Sequence, residues 1–198
     1  ASVLNGGVET GIMLGYVPVD TKYERFAPSQ SRLAVTVAFQ PMESLPPRTL
    51  ARMPHRYAGL LTDLYTRCEM TRTVSGEAGS ISNASRITTA FNARRDALQV
   101  DVHSIGNDIE AEFEALFKQV DAAAVYADLP VDAPGIDRAI DALRKHGFFF
   151  AALLPEFANT DVLRLQHIRD RSENLLNPPL TNEGAKKLLE VIHEDVPR

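Results

Sequence analysis

The sequence predicts an α/β fold in which a mixed central sheet is flanked by helices. Three observations carry this prediction. Apolar, β-branched runs of strand length alternate with segments of helical period. A strand, a helix stopped by glycine and two further strands follow one another from Val125 to Ile168. A hairpin with clean alternation, Arg86 to His103, precedes them.

The chain has 198 residues, 44% hydrophobic and 24% charged, which suits one soluble globular domain, alone or with an added element. Its net charge of −5 disfavours a nucleic-acid surface, because nothing offsets phosphate repulsion globally. The single cysteine, Cys68, excludes a disulfide framework and a multi-cysteine metal site, and fits a reducing cytoplasm. No apolar run is long enough to span a bilayer. The N-terminus lacks a basic region and a cleavage pattern. Its abrupt start, ASVLNGGVETG, reads either as a cloning scar or as a cut from a longer protein, and an internal echo favours the cut.

Taken in order, Asn5 to Gly7 is a turn signal and Thr10 to Val17 an apolar strand. Asp20 to Ser31 is polar and turn-like, and Leu33 to Phe39 is a second strand. Met42 to Pro54 is an extended, proline-rich connection. His55 to Glu69 carries Tyr57, Leu60, Leu61, Leu64, Tyr65 and Cys68 at helical spacing, with Pro54 suited to its start. Thr71 to Ser85 is small and polar, a candidate mobile loop.

Arg86 to Phe91 and Ala97 to His103 form an antiparallel hairpin across the turn Asn92 to Asp96. In its second strand Leu98, Val100 and Val102 face one way, and Gln99, Asp101 and His103 the other. A helix follows from Asp108 to Val120, its acidic first turn matched to the helix dipole. Val125 to Leu129 is a strand, Pro134 to His146 a helix, and Gly147 its C′ stop. Phe148 to Leu154 and Val162 to Ile168 are strands, the first opening on an FFF run that belongs to the core. The last helix, Asn182 to His193, takes Thr181 as its cap. Gly7 to Pro18 echoes Gly147 to Pro155, and each is followed by another apolar strand. On this echo, residues 1–40 are a strand hairpin left from a preceding similar unit, 41–180 the main domain and 181–198 a C-terminal helix. Two unrelated buried hairpins would look the same by composition.

The β-α-β-β order, with AIDALRKHGFFF at its centre, resembles the C-terminal half of the GNAT fold of acyl-CoA N-acyltransferases. The resemblance implies a cleft for acetyl-CoA or another acyl-CoA, with the pantetheine arm paired to a splayed central strand. Val100 and Val102 would supply that strand's backbone. Ser104, Ile105, Gly106 and Asn107 would hold the phosphates ahead of a helix N-terminus. His103, at the strand end, is the candidate base and has a pKa class suited to proton transfer near neutrality. Tyr126 is the candidate acid, because Leu143 stands where the family carries a tyrosine. The turn also departs from the family's Gly-x-Gly, keeping only Gly106 before an acidic helix entry.

The phrase GFFFAALLPEF…DVLRLQ also resembles acyltransferase-like modules of bacterial proteins fused to an anti-sigma-factor-like ATPase. Two functions are therefore expected. One is an acyltransferase-like domain that binds a small-molecule thioester and transfers its acyl group to an amine. The other is a non-catalytic regulatory module, fused to other domains or homodimeric through sheet edges. The histidines show no metal-binding spacing, and no Walker or GxSxG motif is present.

Overall fold

The computed structural model describes residues 7–19, 21, 31–77, 79–157 and 159–197. Most of the Asn5 to Gly7 turn and nearly all of the Asp20 to Ser31 segment lie outside them. The fold is α/β, built on a mixed seven-stranded sheet. Its strands are β1 (Val8–Val17), β2 (Leu33–Phe39), β5 (Arg86–Asn92), β6 (Ala97–Ser104), β7 (Ala124–Pro130), β8 (Phe149–Phe157) and β9 (Thr160–Ile168), in the order β2-β1-β8-β9-β7-β6-β5. Every neighbouring pair is antiparallel except β6 and β7. A parallel pair needs a crossover, and helix α2 (Ile109–Phe117) supplies it.

Helix α3 (Ile136–Lys145) links β7 to β8, and β9 then returns between them. Its stripe of Ile136, Ala139, Ile140 and Leu143 is buried. Gly147, at φ 81°, ends it in the left-handed conformation that a side chain would strain. Phe148, Phe149 and Phe150 are all core residues. Cys68 is buried as well, and burial pushes its thiol up to about 11, which makes it inert.

Two segments differ from expectation. The proline-rich connection and the polar loop meet as a short parallel pair, β3 (Arg48–Leu50) with β4 (Arg72–Val74). Buried Arg72 anchors β4 by donating Nε to Asp161 Oδ2 at 2.7 Å, from the start of β9. Strands of three residues carry no readable period, so the sequence offers no sign of them.

Helix ends differ too. The predicted 55–69 helix begins as a 3-10 turn, His55–Tyr57, before α1 (Ala58–Arg67). Helix α2 stops three residues short of Val120, and the Ala123 and Ala124 amides turn to the Asp96 carbonyl. A short α4 (Glu173–Leu176) precedes α5 (Glu183–Asp195). The cap of α5 is Asn182 rather than Thr181, because its side chain accepts from the Gly184 and Ala185 amides. At the other end of α5, buried Asp195 accepts from Tyr57 Oη, Phe150 N and Arg144 Nη1, each at 2.7 Å. That one carboxylate ties α5 to the 3-10 turn, α3 and β8.

The two sequences that echo each other lie side by side, but β1 touches β8 through a single register pair, Gly11 with Ala152. A Cβ on Gly11 would lie 2.2 Å from the Ala151 carbonyl oxygen, so only glycine permits the approach. Past this point the buried Gln166 side chain takes over from the backbone ladder. Its Oε1 accepts from Leu14 N, and its Nε2 donates to the Ile12 and Phe150 carbonyls. Tyr126 Oη donates to the Leu14 carbonyl at 2.9 Å. In a flat sheet β1 and β7 would be three strand spacings apart, about 14 Å, beyond a tyrosine's reach. Strand β1, still paired to β2, therefore curls over the sheet face toward β7, which is buried in all but its last residue. Among the described residues, no helix is long and apolar enough to cross a membrane.

Candidate functional site

Strands β6 and β7 pair in register from Ala97 and Ala124 as far as Asp101 and Asp128. Neither strand ends there. β6 runs on to Ser104 beside β5, while β7 runs to Pro130 beside β9. Pro130 has no N–H to give a ladder. The two strands part, and a notch opens between them.

A cavity of about 540 Å³ lies at this notch, with Asp101, Val102, His103, Asp128, Pro130 and Arg164 on its walls. That volume lies within the usual range of small-molecule sites. Asp128, in register with Asp101 on one side and Arg164 on the other, accepts a two-point bond from Arg164. Nε meets Oδ1 and Nη2 meets Oδ2, both at 2.6 Å. Burial pushes the Asp128 carboxyl up, Arg164 pulls it down and Asp101 adds to the rise, so it lies above the usual carboxylate range. Asp101 Oδ1 accepts from Gln99 Nε2 at 2.9 Å. His103 is exposed, and its Nε2 lies 2.8 Å from Thr88 Oγ1 on β5.

The expected phosphate turn is occupied by the protein itself. Gly106 N donates to Ser85 Oγ and Asn107 N to the Ser82 carbonyl, both at 2.9 Å. Asp108 Oδ1 accepts from both N and Oγ of Ser85 at 2.7 Å. A Cβ on Gly106 would lie 2.4 Å from the Ala84 carbonyl carbon, so this glycine is needed for the approach of the 82–85 loop. Ile105 is buried, and Asn107 Oδ1 accepts from Arg138 Nη1 at 3.2 Å.

The expected residues thus fall into separate places. Val102 and His103 line the cavity, and Val100 is buried in the paired part of β6. Ser104 ends β6, with Ile105 to Asn107 in the turn beneath the loop. Tyr126 is in register with Gln99, four residues from the His103 level, or about 13 Å along the strand. Its phenol is held by Leu14, and burial pushes its pKa up against the pull of Arg32. It does not line the notch cavity.

Asp128 and Arg164 were not anticipated as site residues. One signal pointed to them: an aspartate in the otherwise apolar run Val125 to Leu129 needs a buried partner. Ser82 and Ser85 gave no signal, since their partners lie more than twenty residues away and follow no motif. Among the described residues, no group of three or more His, Cys, Asp or Glu side chains is arranged to hold a metal ion. Comparison with protein-family models, curated proteins and solved structures finds no match.

Proposed function

We propose that the chain is a GNAT-like module that binds an acyl thioester, with the acyl-pantetheine arm entering the notch between β6 and β7. The observation that carries this reading is the end of the β6–β7 ladder at Asp101 and Asp128, beside a cavity of about 540 Å³. Val102 and Ser104 are paired to β5, but Val102 to Ser104 have no register partner on β7, and that free side of β6 is what an amide-rich pantetheine arm would pair with. The β-α-β-β order on which the resemblance stands is present as β7, α3, β8 and β9.

The ligand's phosphates contribute little in this reading. The Gly106 and Asn107 amides already have partners, and Glu110 and Glu112 in the first turn of α2 repel an anion. Acetyl-pantetheine is therefore expected to bind within about threefold of acetyl-CoA, a difference under 1 kcal/mol. Calorimetry with both ligands tests this. Comparable heats support the reading, and no heat from either at millimolar concentration refutes it.

A regulatory rather than catalytic role is favoured by Tyr126, whose hydroxyl is buried on Leu14. His103 is then the one expected proton-transfer group on the cavity wall. In a regulatory module, thioester loss in the presence of amines stays at the solvent rate, and His103→Ala leaves it unchanged. Transfer that falls at least tenfold in His103→Ala would establish catalysis instead.

A further inference from the structure

A second cavity, of about 550 Å³, opens at the opposite end of the β6–β7 ladder. Tyr16, Phe91, Leu98 and Tyr126 supply its apolar surface, and Arg94 and Arg95 its charge. The Tyr16 and Tyr126 rings meet edge to face at 5.9 Å. The Arg95 guanidinium lies over the Tyr16 ring, 4.3 Å from its centroid, and donates to the Tyr16 hydroxyl. Arg32 is fixed alongside, donating Nε to the Gly15 carbonyl at 2.7 Å and Nη2 to the Arg95 carbonyl at 2.6 Å.

The bonding of these cations is unusual. Among the described residues, Arg32, Arg94 and Arg95 have no carboxylate within ion-pair distance. Arg32 and Arg95 are held by carbonyls, a phenol and a ring face, all of which orient a guanidinium without neutralising it. Arg164, on the cavity wall, is neutralised by Asp128. The positive field of Arg32, Arg164 and Arg95 reaches the Tyr126 phenol, where it opposes the upward push of burial. Like charges gathered without a carboxylate between them leave a positive field at the cavity that an anion would relieve. Planar guanidiniums with free N–H groups match the two-point geometry of carboxylates and phosphates.

We propose that this cavity binds a small organic anion, its carboxylate or phosphate on Arg94 and Arg95 and its apolar body against Tyr16 and Tyr126. The site adjoins the thioester notch but differs from it in its cations, Arg94 and Arg95, which the notch cavity lacks. It shares Gln99 and Arg164 with the notch cavity but lies at the far end of the paired strands.

Thermal shift and calorimetry with inorganic phosphate and with benzoate, against chloride at equal ionic strength, test it. Benzoate carries both parts of the expected ligand, whereas phosphate carries the charge alone. A rise in Tm with benzoate only identifies a carboxylate site, with phosphate only a phosphate site, and with both a site that reads the shared charge. No rise with either at millimolar concentration overturns the proposal. Arg94→Ala should weaken the effective probe about tenfold, as loss of one charge-assisted contact does. It should leave the unliganded Tm unchanged or raised, because a repelling charge is gone. Equal binding by Arg94→Ala and Arg95→Ala proteins and the wild type would overturn the assignment. Should Arg95→Ala not fold, Arg94→Ala decides alone. Acetyl-CoA binding should be the same in Arg94→Ala as in wild type, so failure of the thioester reading leaves this test intact.

Discussion

Two buried arginine–aspartate pairs anchor different parts of β9, and they differ in what else each carboxylate meets. Asp161, at the start of the strand, takes Arg72 through Oδ2 and the Glu156 amide through Oδ1. Burial pushes this carboxyl up, but Arg72 and the amide outweigh it and hold it below the usual range. Asp128 takes Arg164 with equally short bonds, yet lies above the usual range, because burial and the neighbouring Asp101 prevail. Both are forks of the same chemistry. One is saturated with donors and closes the fold. The other lies beside a second carboxylate, Asp101, on the wall of a cavity. An ion pair kept off balance by a neighbour marks a site more clearly than the presence of charge does.

The largest expected effect lies on the saturated side. Asp161→Ala leaves Arg72, whose side chain is 1% exposed, with a bare Nε and only the Glu156 carboxylate, 2.5 Å from Nη2, as its counter-charge. The cost should be about 3 kcal/mol, the lower end for breaking a buried pair, read from urea unfolding. A loss no larger than that of Asp128→Asn would erase the distinction between the pairs. Gly106→Ala tests the rim of the notch. Its Cβ meets the backbone of the 82–85 loop at 2.4 Å, so a cost of about 1–3 kcal/mol is expected. A neutral result would mean the loop is not seated on the turn.

Asp128→Asn should cost less than Asp161→Ala, about 1–2 kcal/mol, because the amide still accepts one Arg164 N–H and the repulsion with Asp101 is relieved. The pH dependence sharpens the contrast. Asp161 is depressed in the folded state, so its stabilisation is present above its unfolded value near 3.8 and is lost as pH falls through the lower folded value. Asp128 is raised, so wild-type stability declines as pH climbs from 3.8 through the higher folded value. The gap between wild type and Asp128→Asn should therefore narrow over that window. Slopes of the same sign for the two positions would contradict the account. Smallest is Tyr126→Phe, which loses the hydrogen bond to Leu14 and should cost about 1 kcal/mol. Thioester binding should not change, because Tyr126 does not line the notch.

Locally encoded features were legible in the sequence. The stripe of α3, the Gly147 stop, the alternation of β6 and the buried FFF run each follow from residues a few positions apart. Pairings across long separations were not. Arg72 meets Asp161 eighty-nine residues away, and Tyr57 meets Asp195 one hundred and thirty-eight away. No local period encodes either contact. At the site, His103 was legible because alternation fixed its face, whereas Gly106 was read as part of a phosphate-holding turn. What approaches it is the Ser82 to Ser85 loop, which spacing could not reveal. Tyr126 was readable as a strand residue, but its burial depends on β1 curling over the sheet face at Leu14.

The central claim is that the parted ends of β6 and β7 receive a thioester. Amide shifts of isotopically labelled protein, followed by NMR as acetyl-CoA is added, test it most directly. The account predicts saturable shifts clustered at Val102, His103, Ser104 and Leu129, with Ala97 and Ala124 unmoved. Shifts confined to other strands, or none at millimolar ligand, would contradict it.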